Sequence, residues 1–182
     1  MKFLIAMFLM IAATGSATAQ LQLPIDTATG KITFNRKLTD GDTLTAARLW
    51  QKANVWANTM FGARCKMLSP SDTRKHKIFA TDSFVQSMGL DKNMVAKTVH
   101  YTVYIVFRKG SCAIQLSNIW LQDARAKSGD KANSTITLEQ LTAGTKPATP
   151  ALQKFVRDCT IRFNSIINSF ASYMGGPATP TD

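Results

Sequence analysis

The most constraining feature of this 182-residue sequence is a pair of β-branched and aromatic segments joined by a tight-turn signal. Residues 98–107 read Thr-Val-His-Tyr-Thr-Val-Tyr-Ile-Val-Phe, and residues 111–121 alternate apolar and polar side chains. Arg108-Lys109-Gly110 separates the two segments. Such residues fit a pleated surface, and a short glycine-containing connection returns the chain antiparallel to itself. The sequence therefore predicts a β-hairpin.

Three other segments also have the character of strands. Residues 31–38 follow the Thr29-Gly30 turn, residues 63–68 precede Ser-Pro-Ser-Asp, and residues 77–86 follow it. Runs of this length between turn signals are typical of short strands. Together with the hairpin, the last two segments predict an up-and-down meander of four strands.

Two helices are predicted from apolar residues that recur every three or four positions. The first begins after Asp42, which can serve as its N-cap, and ends at Gly62. The second begins at Thr149-Pro150, where a capping residue precedes proline at the first helical position, and runs to Gly175. Its apolar stripe consists of Leu152, Phe155, Val156, Cys159, Phe163, Ile166, Ile167, Phe170 and Met174.

The segment between hairpin and second helix, residues 122–150, is polar and predicts a long loop. It contains one helical turn at residues 137–141, where Thr137 and Gln140 have the spacing of a capping box. The element order β-α-β-β-β-β-α predicts an α+β fold, an antiparallel sheet with two helices packed on one face. We expect one domain over residues 20–174 and a disordered tail over residues 175–182.

The N-terminus has the pattern of a cleavable export signal. Lys2 precedes a short apolar run, and Ala17-Thr18-Ala19 offers small residues to a signal peptidase. Eleven apolar residues are too few to span a bilayer, which needs about 20. We therefore expect a signal peptide over residues 1–19, a mature chain without a transmembrane segment, and a periplasmic, secreted or cell-surface location.

Cleavage would lower the formal net charge from +11 to +10. An exported protein of this charge meets anionic lipid, acidic glycan or acidic protein rather than nucleic acid. A charged surface that only keeps the chain soluble is an equal alternative.

Several residues resemble an exported bacterial family, domain of unknown function 4468, which has a TATA-binding-protein-like fold. The shared features are the opening Leu23-Pro-Ile-Asp with Thr29-Gly-Lys-Ile-Thr-Phe34, then Trp56-Ala57, Phe61 and the hairpin from Tyr101 to Leu121. The resemblance implies the order strand, helix, four strands and helix. It implies no activity and no functional residues, and it does not imply DNA binding, because fold does not determine function.

No recognisable catalytic motif, phosphate loop or metal-ligand spacing is present, so the sequence predicts a non-enzymatic protein without cofactor or metal. The leading hypothesis is an exported binding or assembly module of the cell envelope. One alternative is an envelope enzyme or redox protein that uses a free cysteine. Another is an antagonist or immunity-type protein with an acidic partner.

The three cysteines, Cys65, Cys112 and Cys159, permit one disulfide in an oxidising compartment. Cys112 is predicted to share a strand face with Ile114, Leu116 and Trp120, and Cys159 lies in the helical stripe. Both are expected to point into the layer between sheet and helices. A Cys112–Cys159 disulfide and two separate buried thiols are both compatible with this placement.

Two surfaces are candidate binding sites. The first lies at one end of the sheet, because a meander brings alternate turns to the same end. A basic loop and a basic turn should meet there and form either an anion-binding patch or a set of solubilising charges. The residues of this basic end are Arg74, Lys75, Lys77, Arg108 and Lys109.

The sheet face away from the helices is the second candidate, a surface for a partner or a ligand unless the loop of residues 122–150 covers it. Its predicted residues are Thr102, Tyr104, Val106, Ala113, Gln115, Ser117 and Ile119, of which Thr102, Tyr104, Gln115 and Ser117 are the candidate binding residues.

Overall fold

The structure is a computed structural model that describes residues 23–39, 44–62, 77–89, 94–124, 135–143 and 149–175. The predicted signal peptide, the predicted strand at residues 63–68, Cys65, Arg74, Lys75 and nearly all of the predicted tail lie outside these ranges. The elements in chain order are β1 (Phe34–Thr39), α1 (Ala46–Phe61), β2 (Lys77–Met88), β3 (Val95–Arg108), β4 (Ser111–Asp123), β5 (Ile136–Thr137), α2 (Leu138–Ala143) and α3 (Pro150–Met174).

The strands form one antiparallel sheet in the order β1-β4-β3-β2, and β5 also pairs with β4. The predicted hairpin is confirmed as β3 and β4, in which Arg108 lies opposite Ser111. β1 pairs with the first half of β4 and β5 with its second half, so the two short strands share one side of β4. The predicted α+β class is therefore confirmed.

Both long helices are present, and α3 has the predicted extent and the predicted N-cap. The Thr149 side chain accepts a hydrogen bond from the Leu152 N–H at 3.2 Å, with Pro150 in the first turn, and Gly175 ends the helix in the left-handed conformation. The prediction for α1 was wrong at its start. Thr45 rather than Asp42 is the N-cap, because its hydroxyl reaches the Arg48 N–H at 3.3 Å.

Both long helices pack on the same face of the sheet, and the core lies between the two layers. Phe163 of α3 sits at its centre, with ring centroids 4.9 Å from Phe34, 5.5 Å from Phe84 and 5.5 Å from Tyr101. Trp56 of α1 packs edge-on against Phe170 of α3. No helix in the described ranges is long and apolar enough to cross a membrane.

The described part of the 122–150 segment packs against the edge of the sheet. Thr137 and Gln140 form the predicted capping box, with reciprocal hydrogen bonds of 3.0 and 3.2 Å. Leu138 is 1% exposed within the core, and the Glu139 carboxylate accepts a hydrogen bond from the Ile32 N–H at 2.8 Å. Residues 135–143 therefore extend the core beside β4.

The Leu-Pro-x-Asp opening folds into a tight reversal just before β1. The Asp26 carboxylate accepts a hydrogen bond from the Ala28 N–H at 2.9 Å, and Gly30 adopts a φ of 67°. Asp26 N–H then donates to the Lys31 carbonyl, which leaves Ile25 opposite Ile32. This part of the motif thus has a structural role, since glycine tolerates the positive φ and aspartate bonds its own turn.

Candidate functional site

All four predicted binding residues lie on the sheet face opposite the helices, which we call the open face. Tyr104 pairs directly with Gln115, and Thr102 pairs with Ser117 across β3 and β4. Their neighbours along the strands are buried in the core, as alternation requires. The open face therefore brings the four residues together as two adjacent cross-strand pairs.

A β-bulge in β4 changes which later residues reach the open face. The register shifts between His100 and Thr102, and Asn118 on the opposing strand has a φ of 51°. One extra residue reverses the alternation of the strand beyond it. Trp120 consequently lies on the open face and Ile119 is 1% exposed in the core, so the predicted placement of both residues was wrong.

The bulge brings two aromatic rings into contact on the open face. His100 lies opposite Trp120, and their rings stack with centroids 3.7 Å apart and planes 8° from parallel. Sequence reasoning missed this pair because simple alternation places Trp120 inside. A signal was present in Asn118, since asparagine is unfavourable in strands but tolerates a positive φ.

A cleft of about 490 Å³ opens beside the stacked pair. Three hydroxyl side chains form its floor, those of Thr81, Ser83 and Thr102. The stacked rings of His100 and Trp120 form its wall, and Asp82 and Tyr101 complete the lining. The Asp82 carboxylate accepts a hydrogen bond from the Tyr101 hydroxyl at 3.1 Å. The volume is within the range of about 300–1,000 Å³ that is usual for small-ligand sites.

The imidazole of His100 is held in an environment that disfavours its charged form. Burial lowers the pKa of His100 below its ordinary value of 6.5. Its Nε2 atom is buried without a hydrogen-bond partner among the described residues. His100 therefore presents a neutral, flat ring at neutral pH.

This burial predicts a pH dependence of stability. Below about pH 6.5 the unfolded chain takes up a proton at His100 that the folded chain resists, so the free energy of unfolding should fall as the pH is lowered through that value. His100→Phe retains a flat ring but cannot titrate. The free energy of unfolding, measured with urea between about pH 7.5 and 5, should fall more steeply with decreasing pH in the native chain than in the His100→Phe variant. An equal pH dependence of the free energy of unfolding in the two proteins would contradict the burial of His100.

The basic end of the sheet is formed in part by described residues. Lys77 begins β2 opposite Val106, and Arg108 and Lys109 lie where β3 turns into β4, so these three reach the same end. The Lys77 ammonium lies 5.7 Å from the ring centroid of Tyr104, on the open face. Lys37 of β1, which sequence reasoning did not single out, lies opposite Ala113 on the same face.

The predicted Cys112–Cys159 disulfide is not formed. Both residues are buried, but Cys112 lines a small pocket with Met174 and Gly175 at the C-terminal end of α3. Cys159 lies 15 residues before Met174, which is about 22 Å along the helix at 1.5 Å per residue. A disulfide requires Cα atoms within about 7 Å, so the alternative of separate buried positions is the one that the structure adopts.

The fold is shared with two solved bacterial structures. A DUF4468 family protein from Bacteroides ovatus superposes with a TM-score of 0.66 at 15% identity, covering 86% of this chain and 93% of that chain. A TBP-like protein from Parabacteroides distasonis gives a TM-score of 0.54 at 14% identity, covering 78% of this chain and 94% of that chain. The chain has the TBP-like fold. No protein-family model matches the sequence, and no curated protein matches it.

Within this TBP-like fold, the described residues do not assemble a catalytic pair from a cysteine and a histidine. Cys112 and Cys159 are buried in the layer between sheet and helices, whereas His100 lies on the open face. Burial, with a smaller contribution from the Asp158 carboxylate, raises the pKa of the Cys159 thiol to about 12. The described ranges also contain no group of three or more potential metal ligands.

Proposed function

We propose that this chain is an exported, non-enzymatic binding or assembly module of the bacterial cell envelope that binds its partner on the open face. The observation that carries the proposal is the His100–Trp120 stack beside a cleft with a hydroxyl floor, on the side of the sheet opposite both long helices. A stacked aromatic wall next to polar groups is the usual composition of a binding site.

Two other observations support this proposal. The leader sequence favours export, which would bring a chain of charge +10 into contact with envelope components. The raised pKa of Cys159 argues against the alternative of a redox protein that uses this thiol, because the thiolate is the reactive form.

A second candidate function is the binding of an acidic partner, as an antagonist or immunity-type protein would. Lys77, Arg108 and Lys109 favour it because the start of β2 and the turn between β3 and β4 bring them to one end of the sheet. Arg74 and Lys75, which precede Lys77 in the sequence, complete the set that we propose for this anion-binding role. Its binding should weaken with added salt, since exposed charges are screened.

The leading proposal is tested by binding the mature chain, beginning at Gln20, to envelope extract. The double variant Tyr104→Ser/Gln115→Ser alters a directly opposed pair of the open face. Val55→Ser/Ile161→Ser changes two exposed apolar residues on the outer sides of the helices and serves as the control. We expect the open-face variant to lose most of the bound material while the helix variant retains it. Equal binding by the two variants would refute an open-face site.

A further inference from the structure

Resting on the proposed open-face function, we infer that the cleft beside His100 binds a neutral sugar ring of an envelope or environmental glycan. A sugar ring combines a face of C–H groups with hydroxyls around its rim. Such a ligand therefore needs a flat aromatic wall on one side and small groups that both donate and accept hydrogen bonds on the other.

The wall is provided by the imidazole of His100. One face of this ring is stacked on Trp120 of β4, so its other face is directed toward β2, where Ser83 lies directly opposite. Aromatic faces carry partial negative charge and attract C–H edges. The stack also holds the ring in place before a ligand arrives, which lowers the entropic cost of binding.

The floor is provided by hydroxyl groups. Thr81 lies directly opposite Thr102, and Ser83, two residues after Thr81, lies on the same face of β2. A serine or threonine hydroxyl donates one hydrogen bond and accepts two, and it rotates to suit its partner. None of these three hydroxyls is bonded to another side chain within the described ranges, although Thr102 is only 8% exposed. They are available to a polyhydroxylated ligand.

The charges of the cleft favour a neutral ligand over an anionic one. The only carboxylate among the lining residues, Asp82, is bonded to Tyr101. Lys77 begins β2 six residues before Ser83, about 20 Å away at roughly 3.3 Å per residue. An anion would therefore be attracted to the basic end of the sheet rather than to the cleft.

The backbone of the cleft argues against an added peptide strand. Residues 77–88 pair with residues 95–106 throughout, so the hydroxyl floor lies on the face of this ladder and not along the outer side of β2, where the N–H and C=O groups pair with no described strand. Peptides that add to a sheet use such unpaired groups at its edge. On this face the cleft offers side-chain hydroxyls and an aromatic ring.

The test measures retention of the full mature chain on immobilised dextran, mannan, galactan and xylan in high salt, which screens the positive charge of the protein. Retention on the anionic polysaccharide hyaluronan is measured at low salt for comparison. Thr81→Val and Thr102→Val remove the hydroxyls but keep branched side chains of similar volume. Thr39→Val, at the opposite end of the open face, is the matched control. Unfolding midpoints confirm that each variant is folded.

We expect retention on at least one of the four polysaccharides, elution by its free monosaccharide, and dissociation constants raised about tenfold or more by each cleft variant, the factor that 1.4 kcal/mol produces. Thr39→Val should bind like the native chain. Failure of the native chain to bind any of the four, or equal binding by the cleft variants, would overturn the inference. Retention only on hyaluronan at low salt would also overturn it and would indicate the basic end. In either case, loss of envelope binding in the Tyr104→Ser/Gln115→Ser variant would still support the open-face function.

Discussion

We expect Phe163→Ala to lower the free energy of unfolding by about 3–5 kcal/mol, the largest effect of any single substitution considered for this chain. Phe163 is 0% exposed, and its ring contacts aromatic rings of β1, β2 and β3. The substitution would leave a cavity where α3 meets three strands. Because small domains are stable by only about 5–15 kcal/mol, much of the variant should unfold under mild conditions.

Chemical unfolding followed by circular dichroism measures this effect. Ile161→Ala is the matched control, since Ile161 lies two residues earlier on α3 and is 59% exposed. Its stability should stay within about 0.5 kcal/mol of the native value. If the two variants were equally stable, Phe163 would not be the centre of the packing between the two layers.

The second large effect is expected in thiol chemistry. Burial raises the pKa of the Cys159 thiol from its ordinary value of 9.0 to about 12, so the folded chain should hold roughly a thousandfold less Cys159 thiolate at pH 8 than an unperturbed thiol would. The alkylation rate should fall in proportion, because the thiolate is the nucleophile. We therefore expect iodoacetamide to leave Cys159 unmodified in the native protein and to modify it after unfolding.

Peptide mass spectrometry of the alkylated chain reports each cysteine separately. Denaturation provides the control within one protein, because it exposes Cys159 without changing the sequence. Rapid modification of native Cys159 at pH 8 would contradict its buried position and revive the redox alternative. A peptide that links Cys112 to Cys159 would contradict the packing of α3 on the sheet.

The parts of the fold that the sequence predicts well are those encoded locally. α3 is specified by Thr149, Pro150 and Gly175 at its ends and by a periodic stripe between them, and the structure reproduces each of these features. The β3–β4 hairpin is likewise specified by its turn and its alternation. The pairing of β1 with β4 is not predictable in this way, because more than 70 residues separate Leu38 from Cys112 and only packing brings them together.

The candidate site was predicted only in part, for a related reason. Thr102, Tyr104, Gln115 and Ser117 precede the bulge, so strict alternation places them correctly on the open face. Beyond Asn118 the same rule gives the wrong face for Trp120. A single extra residue changes the orientation of everything after it in a strand, and the pattern of apolar residues alone does not locate that residue.

The sequence left the Cys112–Cys159 disulfide and two separate buried positions open, because burial on the same side of a sheet does not imply proximity. Cys112 and Cys159 both point into the layer between sheet and helices, as predicted. Their separation depends on how far α3 extends along the sheet, and this follows from side-chain packing such as the Arg36–Asn168 hydrogen bond of 2.9 Å. Sequence spacing carries no information about that placement.

The most direct test of the open-face site uses the three tryptophans of the chain as internal reporters. Trp120 lies on the open face, whereas Trp50 and Trp56 belong to α1 on the other side of the sheet. Nitrogen-15 NMR spectra of the mature chain show one indole N–H signal for each tryptophan. On addition of envelope extract, we predict that the Trp120 signal shifts or broadens while those of Trp50 and Trp56 do not change. Perturbation of Trp50 or Trp56 with an unchanged Trp120 signal would contradict binding on the open face.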